Sequence, residues 1–175
     1  MMLSKKLNAM LNDQVGNELF ASHQYIAIAT HFDQAALPVL TKHYHAQALE
    51  EREHAMRLAK LILDLEGDLQ IPAIPAPKMK FKNSLEAVQL ALESEQRVTA
   101  QINALMDQAI VDKNHVSKHE LEWFVNEQRE EITSATTLVQ MVKRAGEGGM
   151  FFVETFLKDG GLAEAGSAGG EGEGE

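Results

Sequence analysis

The stretch from Leu40 to Leu65 constrains the fold more than any other. At helical spacing, positions 40, 44, 47, 51, 54, 58, 61 and 65 carry Leu, Tyr, Gln, Glu, His, Leu, Leu and Leu. This is a core-facing seam with ionisable groups at its middle. Glu51 and His54 lie three residues apart, so a helix presents a carboxylate and an imidazole on one face, within reach of a single metal ion. Such a pair arises easily by chance. Its place inside an apolar seam is what gives it weight, because a charge buried without a partner is costly.

Three more seams repeat the arrangement. From Ser4, read as an N-cap, to about Phe32, positions 7, 11, 14, 18, 21, 25, 28 and 32 are Leu, Leu, Gln, Glu, Ala, Tyr, Ile and Phe, with Glu18 near the middle. A short turn from Asp33 to Pro38 makes helices one and two antiparallel neighbours, and helix two is expected to run to about Glu66, with Gly67 ending it. Pro72, Pro75 and Pro77 forbid helix between Gly67 and Asn83. A helix of about 28 residues is roughly 42 Å long, and 17 extended residues reach roughly 56 Å. The segment can therefore return along a whole bundle, which favours one compact domain over two units joined by a flexible hinge. Helix three, starting after Asn83 or Ser84, sets Leu85, Val88, Leu92, Glu95, Thr99, Ile102, Met106 and Ala109 on its seam. Helix four follows a turn near Asp112 to Asn114 and carries Leu121, Phe124, Gln128, Glu131, Ala135, Leu138 and Val142 before Gly146 closes it. A short apolar segment, Met150 to Leu157, has no obvious place in a lone bundle. The expected domain is residues 1–159. Residues 160–175 form a Gly-rich acidic tail, carrying Glu164, Glu171, Glu173 and Glu175, that composition marks as disordered.

Glu18, Glu51, His54, Glu95, Gln128 and Glu131 thus interrupt four seams at matching depth. Any single acid among them can be read as a misphased surface residue. Together, with no Lys or Arg on the same seams, they repel one another unless cations fill the site. An oxygen-rich set with one imidazole suits iron or manganese, or zinc. The formal net charge of −10 disfavours nucleic acid and anionic membrane as partners. The chain has no cysteine, so thiolate metal sites are excluded. No charged-then-apolar signal pattern and no membrane-length apolar run is present, which makes the cytoplasm the default location.

Over Leu7 to Leu157 the sequence resembles the ferritin family, whose fold is all-α: a four-helix bundle with one long crossover between helices two and three plus a short fifth helix. Glu18, Glu51-x-x-His54, Glu95 and Gln128-x-x-Glu131 match the family's ferroxidase-centre positions, and Tyr25 matches its nearby tyrosine. Glu50, Glu127 and Glu130 fall where prokaryotic members have acids for an additional iron site, and Trp123 matches an aromatic near the centre. Bacterioferritins bind haem through a Met directly after the second-helix Glu and carry Glu-x-x-His in helix four. Arg52 and Gln128-x-x-Glu131 stand there instead, so the resemblance is to a haem-free ferritin, and no haem is expected. It implies an iron-storage ferroxidase with a diiron centre, Fe(II) and dioxygen as substrates, and a homo-oligomeric cage of twenty-four subunits. Tyr25 and Glu51 would be catalytic, with Glu51 bridging two ions. A haem-containing bacterioferritin, a di-iron oxygenase and a non-enzymatic metal-binding helical assembly are the competing readings. His115 and His119 are expected at the surface.

Overall fold

The computed structural model describes residues 2–162, and no strand occurs among the described residues. Helix α1 spans Lys5–Gln34, α2 Pro38–Asp64, α3 Ser84–Val111 and α4 His115–Ala145; a single 3-10 turn, Glu147–Gly149, leads into α5, Met150–Lys158. This is a four-helix bundle with a long connection between α2 and α3 and a short fifth helix. Most of the expected acidic tail lies outside the described residues.

Polar caps start the helices where the sequence places them. Ser4 Oγ accepts from the Leu7 amide at 3.1 Å, Asn83 Oδ1 from Glu86 at 2.9 Å and Asn114 Oδ1 from Ser117 at 3.0 Å. Helix α2 has Pro38 in its first turn and no side-chain cap of its own. Its Leu40 amide instead donates to Glu154 Oε1 of α5, 2.8 Å away. Glu147 likewise accepts from the amide and hydroxyl of Ser84 at 2.8 and 2.9 Å. Helix α5 therefore closes one end of the bundle. Met150 and Val153 are buried there, whereas Phe151 and Phe152 are 75% and 72% exposed. The lone bundle thus buries one face of the segment and, as expected, has no place for the other, which carries Phe151 and Phe152.

Two further details differ from the sequence reading. Helix α2 stops at Asp64, and Glu66 rather than Gly67 adopts the left-handed backbone, at φ 55°. Gly67 is needed for space: a Cβ there would sit 2.5 Å from Asn8 Oδ1 and 2.8 Å from Leu3 Cδ1. Helix α3 buries Val88, Ala91, Glu95, Val98, Ile102, Leu105 and Ala109, leaving Leu85, Leu92, Thr99 and Met106 only partly covered. Its inner row is turned by one residue because α3 packs against α1 as well as α4.

The segment between α2 and α3 runs along α1 as a strap. Asn8 and Asn12 each donate to the Asp68 carbonyl, at 3.0 and 2.8 Å, and the Gln24 amide exchanges two 2.9 Å hydrogen bonds with the Lys78 backbone. Pro72 lies so close to α1 that a Cβ at Gly16 would meet its Cγ at 2.3 Å.

The apolar core is in two parts. One cluster joins the start of α1, the end of α2, the end of α3 and the start of α4, around Leu11, Leu58, Ile102 and Leu121. The other joins the opposite ends with α5, around Ile28, Leu40, Val88 and Leu138. Between them, at mid-height of all four helices, lies a buried polar layer.

Candidate metal centre

The layer is made of Glu18 from α1, Glu51 and His54 from α2, Glu95 from α3, and Gln128 and Glu131 from α4, all buried. Each sits on a row whose two ends are apolar, so helix formation and burial of that row carry the polar group inward. Helix propensity alone would not put it there.

Glu18, Glu51 and His54 offer ligand atoms that all lie within 4.8 Å of one another. Neither oxygen of Glu51 and only one of Glu18's has a hydrogen-bond partner among the described residues. That single bond comes from Gln14 Nε2, at 2.9 Å. His54 Nδ1 approaches Glu51 Oε2 to 3.4 Å. Bare carboxylate oxygens in a core are costly unless they are protonated or a cation meets them. Burial first, and the Glu51 charge second, push Glu18 well above the usual carboxylate range. Glu51 is raised in the same way, by burial and then by Glu95.

The α3–α4 side is furnished with donors. Glu95 accepts from the Tyr25 hydroxyl and from Gln128 Nε2, the latter at 3.0 Å. The Thr99 hydroxyl lies 3.2 Å from Gln128 Oε1, fixing which way the amide points. Burial raises Glu95 to about 7 against the opposing Tyr25 hydrogen bond. Burial and then the Glu95 charge raise Glu131 to about 9. Tyr25 is itself pushed up, by burial and then by Glu95.

A cleft of about 970 Å³ opens between α2 and α4 and reaches Tyr25, Glu95 and Glu131, with Glu50, Glu127 and Glu130 along its wall. Glu50 and Glu127 come together with His54, their ligand atoms within 4.8 Å of one another. Glu130 does not join them. It is exposed and lies 3.6 Å from Arg129. Arg52 is exposed, and so are His115 and His119; His119 lies 3.7 Å from Glu122. Sequence reasoning gave no role to Gln14, which stands one turn before Glu18, to Gln47, which donates to Glu50 at 2.8 Å, or to Arg57. A polar residue one turn from a buried acid is the signal that would have found the first two.

A ferritin-like domain family model matches residues 8–145. The ferritin BfrB of Mycolicibacterium smegmatis is 43% identical over 155 residues, covering 89% of this chain and 85% of the relative. A bacterial non-heme ferritin from Staphylococcus haemolyticus is 38% identical over 146 residues, 83% of this chain and 88% of the relative. Among solved structures, an open-pore ferritin from the archaeon Archaeoglobus fulgidus superposes with a TM-score of 0.85 at 28% identity, covering 89% of this chain and 96% of that one. No described helix is long and apolar enough to cross a membrane.

Proposed function

The chain belongs to the ferritin family, and from that premise we propose that it is an iron-storage ferroxidase acting in the cytoplasm. It binds Fe(II) as substrate in the polar layer, passes electrons to dioxygen, and keeps the ferric product inside a homo-oligomeric cage of twenty-four copies. The observation that carries this reading is the buried Glu18–Glu51–His54 group, whose carboxylate oxygens are mostly left without hydrogen-bond partners.

Glu18 and His54 hold one ion, Glu95 and Glu131 the other, and Glu51 lies between them as the bridge. Carboxylates are hard anionic donors and favour Fe(III) over Fe(II), which draws electrons from the bound pair toward dioxygen. Gln128, whose amide nitrogen faces Glu95, acts as a hydrogen-bond donor to a ligand. Tyr25 does the same from the other side. The cleft gives solvent access to the Glu95–Glu131 side. Glu50 and Glu127, sharing His54, form a further position for an ion entering or leaving, and Glu130 stands apart from it. Arg52 offers no soft axial ligand for haem, so protein from haem-supplemented cells should show no Soret band.

The test is to add Fe(II) to metal-free protein while recording dissolved oxygen. The expected result is a fast phase in fixed proportion to iron that saturates when each chain holds a pair of ions. Oxygen uptake no faster than in protein-free buffer would remove the ferroxidase reading. Light scattering should show a particle of several hundred kilodaltons, and a monomer or dimer would remove the storage reading.

A further inference from the structure

His54 stands in two groups at once, with Glu18 and Glu51 on one side and with Glu50 and Glu127 on the other. The orientation of one imidazole therefore bears on both groups of carboxylates. Metal-binding histidines are usually held by a hydrogen bond from the second ring nitrogen to a carboxylate or carbonyl. Among the described residues the polar contact of His54 is the 3.4 Å approach of Nδ1 to Glu51 Oε2, inside the group itself, so no carboxylate or carbonyl outside it orients the ring.

What holds the ring is aromatic. Trp123 and Phe124 meet it edge to face, with centroids at 5.4 and 5.8 Å and interplanar angles of 77° and 74°, a favourable arrangement for ring quadrupoles. Trp123 is fixed in turn: the Arg57 guanidinium carbon lies 4.0 Å from its ring centroid, and Arg57 Nη2 is 3.2 Å from Glu120 Oε2. Arg57 Nε is buried and unpartnered, so the guanidinium is placed for stacking at the expense of a hydrogen bond. His54 and Arg57 are one turn apart on α2, and Glu120 and Trp123 one turn apart on α4. The clamp thus closes across the two helices that flank the cleft.

We propose that Trp123, pinned by Arg57, is a positioning residue that fixes the His54 imidazole against the Glu18–Glu51 pair. The inference rests on the proposed metal centre.

Titration of the metal-free protein with Co(II), whose visible absorption reports its ligand set, separates the two claims. His54→Ala should weaken binding and change the spectrum; binding like the parent would remove both the centre and the clamp's purpose. Trp123→Leu should lower affinity at the buried group about tenfold and shift the spectrum, and Trp123→Phe should restore most of both. Arg57→Met, at a half-exposed position that leaves the core intact, should shift the spectrum in the same direction as Trp123→Leu. If Trp123→Leu and Arg57→Met bind Co(II) with parental affinity and spectrum while His54→Ala does not, Trp123 is only packing and the proposal fails.

Discussion

The two halves of the polar layer use the same residue types in opposite ways. On the α1–α2 side, both oxygens of Glu51 and one of Glu18 have no hydrogen-bond partner among the described residues. On the α3–α4 side, Glu95 accepts from both Tyr25 and Gln128. A carboxylate satisfied by protein donors is comfortable without metal and must give up those bonds to bind it. One without a protein donor gives up only its proton when a cation arrives. On the proposed function, the first ion to come through the cleft is expected to settle on Glu18, Glu51 and His54, and the second beside Glu95 and Glu131.

The comparison breaks most severely at Glu51, which the proposed function places between both ions. Glu51→Ala should abolish the fast oxidation phase, with a loss of at least about 100-fold in stopped-flow rate; a parental rate would remove Glu51 from the centre. Glu131→Ala touches only the donor-rich half. Isothermal titration should find the first ion bound as in the parent, while paired oxidation falls about tenfold.

The acids also set a pH dependence in the metal-free protein. Their folded-state pKa values lie above the unfolded ones, so the stability they contribute is fully present below the ordinary carboxylate range. It is lost as pH rises through about 7 for Glu95 and about 9 for Glu131. Thermal melts of metal-free protein should therefore show a falling melting temperature from mildly acidic to alkaline pH, and Glu131→Gln should flatten the upper part. Added Zn(II) should reverse the trend, because ligands that have lost their protons bind metal better. A melting temperature that climbs steadily with pH without metal would contradict the burial argument.

The smallest expected effect is at Tyr25. Its hydrogen bond holds the Glu95 pKa down, so Tyr25→Phe should move the pH at which the second ion binds upward, with only a few-fold change in rate at alkaline pH. Exposed His119 is the control, and His119→Ala should leave both ions and both rates unchanged.

Much of this layer was legible in the sequence, because a buried acid in an apolar helical row breaks a periodicity that local reading detects. The cap residues Ser4 and Asn83 marked helix starts for the same reason: their role is confined to one turn. What the sequence did not disclose depends on partners far along the chain. Asn12 and Gln24 are buried on α1 because the strap lies over them, on a face the main seam does not include. Glu154 caps α2 from 114 residues away. His54 and Glu50 meet Glu127 only once α2 and α4 stand side by side, whereas exposed Glu130 stays beside its neighbour Arg129. The Arg57–Trp123 contact likewise exists only once α2 and α4 stand side by side.

The central claim is that the buried layer takes up metal, and takes it first between α1 and α2. Crystals of metal-free protein exposed to graded Fe(II) without oxygen, with anomalous diffraction recorded at the iron edge, test it directly. The account predicts that the first peak appears among Glu18, Glu51 and His54, followed by a second beside Glu95 and Glu131. A layer that remains empty while iron binds elsewhere on the protein, or a first peak on the Glu95–Glu131 side, would contradict it.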